Sequence, residues 1–162
     1  MTRRQFMTGS LGILALSLAS YRAASDYLKL PAKIEKIHKS DREWKAILTG
    51  QQYDILREEG TEKPFSSPLN DEKRDGTYVC AGCDLPLFLS SMKFDSGTGW
   101  PSFYTTLSGA VETKLDFKFI IPRREYHCAR CGGHQGHVFK DGPEPTGQRW
   151  CNNGAALKFI PV

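Results

Sequence analysis

Two Cys-x-x-Cys pairs restrict the fold of this chain more than any other feature of its sequence. Cys80-Ala-Gly-Cys83 and Cys128-Ala-Arg-Cys131 are separated by 44 residues. Two such turns, brought together, present four thiolates in the tetrahedral arrangement that zinc prefers in closed structural sites. The pattern therefore predicts one structural zinc ion per chain that joins two loops. We expect Gly82 and Gly132 to supply the backbone freedom that these tight turns need.

Other uses of the four cysteines are weaker interpretations. Two disulfides gain support if the chain works in an oxidising compartment. An iron–sulfur cluster is disfavoured because nothing else in the sequence indicates electron transfer. A thioredoxin-like redox motif needs only one such pair and a surrounding βαβ pattern, which this sequence lacks. His127 lies beside Cys128 and is an alternative metal ligand.

The first 25 residues have the composition of an export signal. They contain Arg3, Arg4 and Arg22 but no acidic residue, and the run from Gln5 to Tyr21 is uncharged. A basic start, a short apolar run and small residues after it are typical of a secretory signal. The paired arginines followed by Phe6 resemble a twin-arginine signal. We expect transient contact with the export machinery and delivery to the periplasm, with membrane anchoring if the signal is uncleaved. A buried N-terminal helix is the alternative.

The rest of the chain is nearly neutral. The full chain has a net charge of +4, and residues 1–25 contribute three of these positive charges. The remaining charge of about +1 provides no basic surface of the kind that binds nucleic acid. With 40% hydrophobic and 25% charged residues, the composition is that of one soluble domain. We place a lead-in segment at 26–39 and the domain at 40–162, and we expect a monomer.

Helical patterns are confined to the start of the domain. Ser40 and Glu43 fit a capping box that opens a helix ending at Gly50, and a second short helix is predicted from Gln51 to Glu59. After Gly76 the segments are short, β-rich and separated by glycine and proline. This texture predicts a mainly β fold, a small antiparallel sandwich or barrel. The candidate strands are 77–80, 93–96, 109–115, 117–121, 124–128, 136–139, 147–151 and 156–160.

Cys151 is the one cysteine outside the two pairs. A lone cysteine in a strand is usually a small buried hydrophobic residue. Here His134 and His137 precede it in a glycine-rich stretch, and Arg149 is two residues away. Such neighbours can lower the pKa of a thiol and make it nucleophilic. The alternative for the two histidines is a structural role in a turn.

A rigid aromatic loop is the third candidate element. In Gly97-Thr-Gly-Trp-Pro-Ser-Phe103 the glycines force a turn and Pro101 stiffens it. Trp100 and Phe103 then project from a fixed loop as an aromatic wall for a small apolar group. Anchoring in the core is the alternative role.

Together these motifs resemble the peptide-methionine (R)-S-oxide reductase family. The resemblance covers about residues 40–160 and includes five linked motifs. They are Gly60-Thr-Glu-x-Pro-Phe65, Gly97-x-Gly-Trp-Pro-Ser-Phe103, the two Cys-x-x-Cys pairs, His134-x-x-His137-Val-Phe139-x-Asp141-Gly-Pro, and Arg149-aromatic-Cys151-x-Asn153.

The resemblance implies two antiparallel sheets with short N-terminal helices and a structural zinc. It assigns Cys80, Cys83, Cys128 and Cys131 to the zinc and makes Cys151 the nucleophile. By the same resemblance His134, His137 and Asn153 line the sulfoxide oxygen, Trp100 packs on the substrate's terminal methyl group, and Arg149 and Asp141 support the nucleophile.

The chemistry of these groups predicts reduction of the R epimer of methionine sulfoxide, in proteins or free, through a sulfenic acid on the cysteine. Repair of oxidised exported proteins would be the biological role. A non-catalytic, zinc-stabilised module that binds a peptide or small ligand is the alternative. Many family members carry a second cysteine in the Gly-x-Gly-Trp-Pro loop, where this chain has Thr98. We therefore expect an external thiol to act as the reductant.

Overall fold

The computed structural model describes residues 33–117 and 122–162. The chain divides into two units, Met1–Pro31 and Ala32–Val162, and every described residue belongs to the second. The predicted export signal, the first part of the lead-in segment and most of the predicted strand 117–121 lie outside the described residues. Between residues 33 and 162, none of the described helices has the length and hydrophobicity needed to cross a bilayer.

Two short helices open the domain. Helix α1 spans Asp41–Ile47 and helix α2 spans Gly50–Glu58, and each begins with a complete capping box. The boundary between them differs from the prediction, because Gly50 starts α2 instead of ending α1. Thr49 caps α2 by accepting a hydrogen bond from the Gln52 amide, and this N-cap contact decides where the second helix begins.

Within the described residues, nine strands form two antiparallel sheets, which confirms the mainly β prediction. The smaller sheet has the order β2-β1-β9, and the larger has the order β3-β4-β8-β7-β6-β5. The strands are β1 Gly76–Cys80, β2 Pro86–Leu89, β3 Lys93–Phe94, β4 Ser102–Phe103, β5 Val111–Asp116, β6 Arg123–Cys128, β7 His134–Phe139, β8 Arg149–Asn152 and β9 Leu157–Pro161.

Most predicted strands are confirmed within two residues at each end, but β2 and β4 were not predicted. Strand β2 begins at Pro86, and β4 follows Pro101 and contains only two residues. Proline weakens a strand pattern, and two residues cannot show an alternation of period two. Pairing with a neighbour makes each of them a strand: β2 forms a hairpin with β1, and β4 pairs with β8, which is remote in sequence.

The core lies between the two sheets and is largely aromatic. Phe88 from the small sheet stacks on Phe103 from the large sheet, with ring centroids 4.0 Å apart. Tyr78 meets Phe103 edge to face at 5.0 Å, and Tyr126 extends the cluster toward β8. All four side chains are fully buried. Replacing one such ring by alanine costs about 3–5 kcal/mol in typical cores, so this cluster fixes the spacing of the sheets that carry the site.

Candidate active site

The two Cys-x-x-Cys turns follow strands β1 and β6 and meet at one end of the domain. Each turn repeats the same hydrogen bond: Asp84 N donates to Cys80 O at 2.9 Å, and Gly132 N donates to Cys128 O at 2.8 Å. The left-handed residues are Asp84 and Gly132, with φ of 58° and 67°. The prediction that Gly82 supplies the backbone freedom of the first turn is therefore wrong, because the left-handed residue of that turn is Asp84, two positions later.

The four sulfur atoms form a compact cluster that suits a metal ion. All four lie within 4.8 Å of one another, and the closest pairs are 3.5 and 3.6 Å apart. A disulfide requires about 2.0 Å, so these cysteines are free thiols. Sulfur atoms at about 2.3 Å from a tetrahedral zinc ion lie about 3.8 Å from one another. The spacing therefore fits zinc and does not support two disulfides.

Electrostatics also favours a cation at this cluster. Hydrogen bonding to Cys128 and the other cysteines, together with burial, raises the pKa of the Cys80 thiol well above its ordinary value. Four thiolates at this distance would repel one another without a positive ion between them. His127 does not belong to the cluster: its Nε2 lies 3.5 Å from Oε2 of Glu112, on the neighbouring strand β5.

Cys151 lies in β8 and faces a cavity of about 130 Å³. The β7–β8 register places Cys151 opposite His137, so the alternation of a strand aims both side chains at the same face. Trp100 contributes an aromatic wall, as expected from its loop. The cavity is lined by Thr61, Trp100, Arg123, Gly136, His137, Phe139, Cys151, Asn152 and Asn153.

A carboxylate holds His137 at the cavity. Nε2 of His137 lies 2.8 Å from Oδ2 of Asp116, and Arg123 donates to the same oxygen at 2.7 Å. Burial lowers the pKa of His137, and the hydrogen bond with Asp116 partly offsets this effect. Asp116 and Arg123 come from strands β5 and β6, so the sheet, not the local sequence, assembles this group.

His134 lies behind His137 and does not line the cavity. Nδ1 of His134 is 2.8 Å from Oε1 of Glu125, and both side chains are buried. Lys114 lies 3.0 Å from the other carboxylate oxygen of Glu125. The two imidazole rings meet edge to face, with centroids 5.5 Å apart. His134 is thus placed to act on the cavity through His137.

Arg149 and Asp141 form a bidentate ion pair with distances of 2.8 and 2.9 Å. The guanidinium also stacks over Phe139, 4.3 Å from the ring centroid. Burial raises the pKa of the Cys151 thiol, while the positive charge of Arg149 and a hydrogen bond from Thr98 act in the opposite direction. Asp141 therefore fixes the cation that partly compensates for the burial of the thiol.

Asn153 and Phe103 contact other parts of the protein, where a role toward substrate was expected. Asn153 borders the cavity, but its amide is engaged: Nδ2 donates to Gln135 O and Oδ1 accepts from Glu62 N, both at 3.1 Å. Phe103 does not line the cavity and stacks on Phe88 in the core. The expectation of a substrate wall at Phe103 is corrected to the core-anchor alternative, because β4 places Ser102, not Phe103, opposite Cys151.

Sequence reasoning missed several residues that complete the site. Asp116, Arg123 and Glu125 hold the histidines, and Glu62 joins two loops by accepting from the Ala155 amide at 2.9 Å while its carbonyl accepts from Trp100 Nε1 at 3.2 Å. The resemblance already contained Glu62 within Gly60-Thr-Glu-x-Pro-Phe65, although no role was assigned to it. The other three carried no local signal, because their partners lie on other strands.

Fold and site together define a class: a mainly β protein with a four-cysteine cluster that could hold a metal ion and a small cavity beside a fifth cysteine. Residues 48–161 match the SelR domain. The peptide methionine sulfoxide reductase MsrB of Methanosarcina mazei is 53% identical over 125 residues, which cover 76% of this chain and 89% of the relative. The corresponding protein of Agrobacterium fabrum is 52% identical over 78% of this chain and 95% of its own length.

A plant relative matches a longer part of the chain. The chloroplastic peptide methionine sulfoxide reductase B1 of Arabidopsis thaliana is 48% identical over 151 residues, which cover 93% of this chain and 75% of the relative. The chain belongs to the methionine sulfoxide reductase B family and is an oxidoreductase of that family.

Proposed function

We propose that this enzyme reduces the R epimer of methionine sulfoxide to methionine, in oxidised proteins and as the free amino acid, with Cys151 as the nucleophile. The observation that carries this proposal is the cavity in which the Cys151 thiol, the His137 imidazole and the Trp100 ring converge. These groups match what the reaction needs: a thiolate, a proton donor and a surface for a methyl group.

The proposed step conserves atoms and electrons. The Cys151 thiolate attacks the electrophilic sulfur while the imidazolium of His137 delivers a proton to the sulfoxide oxygen. The transient bond between the two sulfur atoms and the sulfur–oxygen bond of the substrate then break as the hydroxyl group passes to Cys151, so methionine is released and the cysteine becomes a sulfenic acid. The substrate sulfur is reduced by two electrons and the cysteine sulfur is oxidised by two. An external thiol then condenses with the sulfenic acid to a mixed disulfide with loss of water, and a second thiol reduces that disulfide to restore the Cys151 thiol.

The surrounding residues orient this step. Asp116 holds His137 at Nε2, and Glu125 holds His134 behind it. Arg149 stabilises negative charge on Cys151, and Asp141 fixes Arg149. Trp100 receives the methyl group of the substrate. Only one epimer can place its methyl group on this ring while its oxygen faces His137, which accounts for selectivity between epimers.

In the same proposal, zinc occupies the four-cysteine cluster. Cys80, Cys83, Cys128 and Cys131 would hold it, and the ion would supply a cross-link between the turn after β1 and the turn after β6. The support is the spacing of the four sulfurs. In this proposal the ion has a structural role and takes no part in the chemical step.

Turnover of racemic methionine sulfoxide with dithiothreitol, followed by chiral analysis, tests the proposal. We expect the R epimer to disappear and the S epimer to remain. Cys151→Ser should abolish turnover while the metal content and the circular dichroism spectrum stay unchanged. Trp100→Ala should mainly raise KM, because it removes the methyl surface. Full activity in Cys151→Ser would leave a ligand-binding module as the better interpretation.

We also propose that the chain is exported by a twin-arginine route and acts as a monomer on oxidised periplasmic proteins. The support is the basic, acid-free composition of residues 1–25 and the adjacent Arg3 and Arg4. Arg3→Lys combined with Arg4→Lys should leave the protein in the cytoplasm, as measured by cell fractionation. Periplasmic delivery that continues in a strain without the translocase would contradict this route.

A further inference from the structure

A fully buried polar pair lies between the cysteine cluster and the strand that carries Cys151. Gln135 and Asn152 are both 0% exposed, and only Asn152 borders the cavity. Burying two amides is unfavourable unless their hydrogen bonds are satisfied. The hydrogen-bond partners of these two amides therefore indicate the role of the pair.

These hydrogen bonds are linked in series and end at the sulfur of Cys80, one of the four clustered cysteines. The Tyr126 hydroxyl donates to Asn152 Oδ1 at 2.7 Å, and Asn152 Nδ2 lies 3.4 Å from Gln135 Oε1. Gln135 Nε2 in turn donates to Cys80 Sγ at 3.4 Å. Every donor points toward Cys80, so the last group of the series must be an acceptor. A metal-bound thiolate accepts only, whereas a free thiol also carries a proton.

The backbone carbonyl of Gln135 holds Asn153, two residues after Cys151. This carbonyl oxygen accepts from the Asn153 backbone amide at 2.8 Å and from Asn153 Nδ2 at 3.1 Å. Asn152 and Asn153 both follow Cys151 directly in the sequence and both line the cavity. One residue thus contacts a cysteine of the cluster and fixes the segment next to the nucleophile.

We infer that Gln135 is a positioning residue that couples occupancy of the four-cysteine site to the geometry around Cys151. This inference rests on the proposed function for the identity of the nucleophile. When Cys80 is a metal-bound thiolate, the Gln135 amide points its N–H toward the sulfur and its oxygen toward Asn152. Emptying the site frees the Cys80 sulfur from its fixed position, which weakens the contact that sets this orientation, and the change reaches the residues after Cys151. Coupling of this kind is reciprocal, so a change at Cys151 must also alter how the cluster holds its ion.

The test measures zinc release, which does not depend on the substrate. The zinc-loaded protein is challenged with the chelator 4-(2-pyridylazo)resorcinol before and after alkylation of Cys151 with iodoacetamide, with the single adduct verified by mass. In the wild-type protein we expect alkylation to change the rate of zinc release severalfold. In Gln135→Met we expect zinc affinity to fall about tenfold or more, as is typical when a hydrogen bond to a metal ligand is lost, and the effect of alkylation to disappear.

Gln135→Met is suitable because it preserves side-chain length, and the Asn152 side-chain amide loses only one of its two acceptors. Asn152 Nδ2 keeps its 2.8 Å contact with the Asn153 carbonyl. Asn152→Leu is the second variant: it interrupts this series of hydrogen bonds but leaves the Gln135 contact with Cys80 in place. It should keep zinc affinity within about twofold of the wild type and also lose the alkylation effect. Equal zinc release before and after alkylation of the wild type, or wild-type zinc affinity in Gln135→Met, overturns the inference. Neither outcome depends on whether methionine sulfoxide is the substrate.

Discussion

In the proposed mechanism, Asp116 raises the fraction of His137 that is in the acid form, against the larger effect of burial. Burial lowers the pKa of His137 and raises that of Cys151. Between the two pKa values, imidazole and thiol are mostly neutral, and the reactive pair of imidazolium and thiolate is a constant minor fraction. Below the His137 pKa the thiolate becomes scarcer, and above the Cys151 pKa the imidazolium does. We therefore expect kcat/KM to be flat between the two values and to fall on both sides.

Asp116→Asn should lower this plateau and move its acidic edge to lower pH. Asp116 raises the pKa of His137, so removing its charge lets that pKa fall further. Each unit of decrease reduces the reactive fraction about tenfold. The measurement is the pH profile of kcat/KM with methionine sulfoxide. Glu112→Gln is a matched control, because Glu112 also faces a histidine across β5 and β6 but lies outside the cavity. A plateau that Asp116→Asn leaves unchanged would show that His137 is not the acid.

At the scale of elements, close contact between β7 and β8 brings His137 opposite Cys151. Gly136 makes this approach possible, because a Cβ at this position would lie 1.9 Å from the Cys151 carbonyl oxygen. Backbone cannot move aside as a flexible side chain can. We expect Gly136→Ala to separate the strands, with a loss of about 1–3 kcal/mol in the free energy of unfolding and a fall in kcat larger than the change in KM.

Gly50→Ala provides the matched control for this glycine. A Cβ at Gly50 would meet nothing within 4 Å, and the residue lies at the start of α2 with ordinary helical geometry. Alanine there should leave kcat unchanged and keep stability equal or slightly higher. Denaturant unfolding and steady-state kinetics on the two variants give the comparison. Equal behaviour of the two alanine variants would mean that the β7–β8 spacing does not limit activity.

Strand pairing also separates the features that the sequence could predict from those that it could not. Groups that are close in the sequence, such as the Cys-x-x-Cys turns and the capping box at Ser40, were identified because their geometry is local. The pairing of His137 with Asp116 was not, because these residues are brought together by the order of β5, β6 and β7. Phe103 was assigned to the wrong environment for a related reason: the two-residue strand β4 decides which side chain faces inward, and so short a strand has no periodic signal.

At the scale of the whole molecule, the cysteine cluster connects elements that are far apart in the chain. Apparent binding free energies of structural zinc sites are about 10–16 kcal/mol, which is comparable with the total stability of a domain, about 5–15 kcal/mol. Cys128→Ser should therefore unfold the domain and release the metal. Elemental analysis and thermal melting measure these effects. Cys151→Ser removes a thiol outside the cluster and should retain the metal and the melting temperature. A Cys128→Ser protein that melts like the wild type would contradict the structural role.

The distribution of all five thiols determines how the enzyme returns to its reduced state. Four cysteines lie in the cluster, and a metal-bound thiolate cannot attack Cys151 without dismantling that site. Thr98 hydrogen-bonds to Cys151 and lies 2.8 Å from Ser96 Oγ, but a hydroxyl is far too weak an acid to act as the attacking group. We predict a one-cysteine cycle in which the sulfenic acid waits for an external thiol.

Intact mass after one turnover without reductant should show one added oxygen on Cys151 and no internal disulfide. Thr98→Cys should instead give a disulfide with Cys151 and no added oxygen, because the new thiol stands where the Thr98 hydroxyl reaches the nucleophile. Thr98→Ser is the matched control, since it keeps the hydroxyl and should behave like the wild type. In the unmodified enzyme the donor must form a mixed disulfide with Cys151 beside Trp100, which favours small thiols or an adapted partner over generic thioredoxin. An internal disulfide in the unmodified enzyme, accompanied by zinc release, would show that the cluster itself supplies the second cysteine.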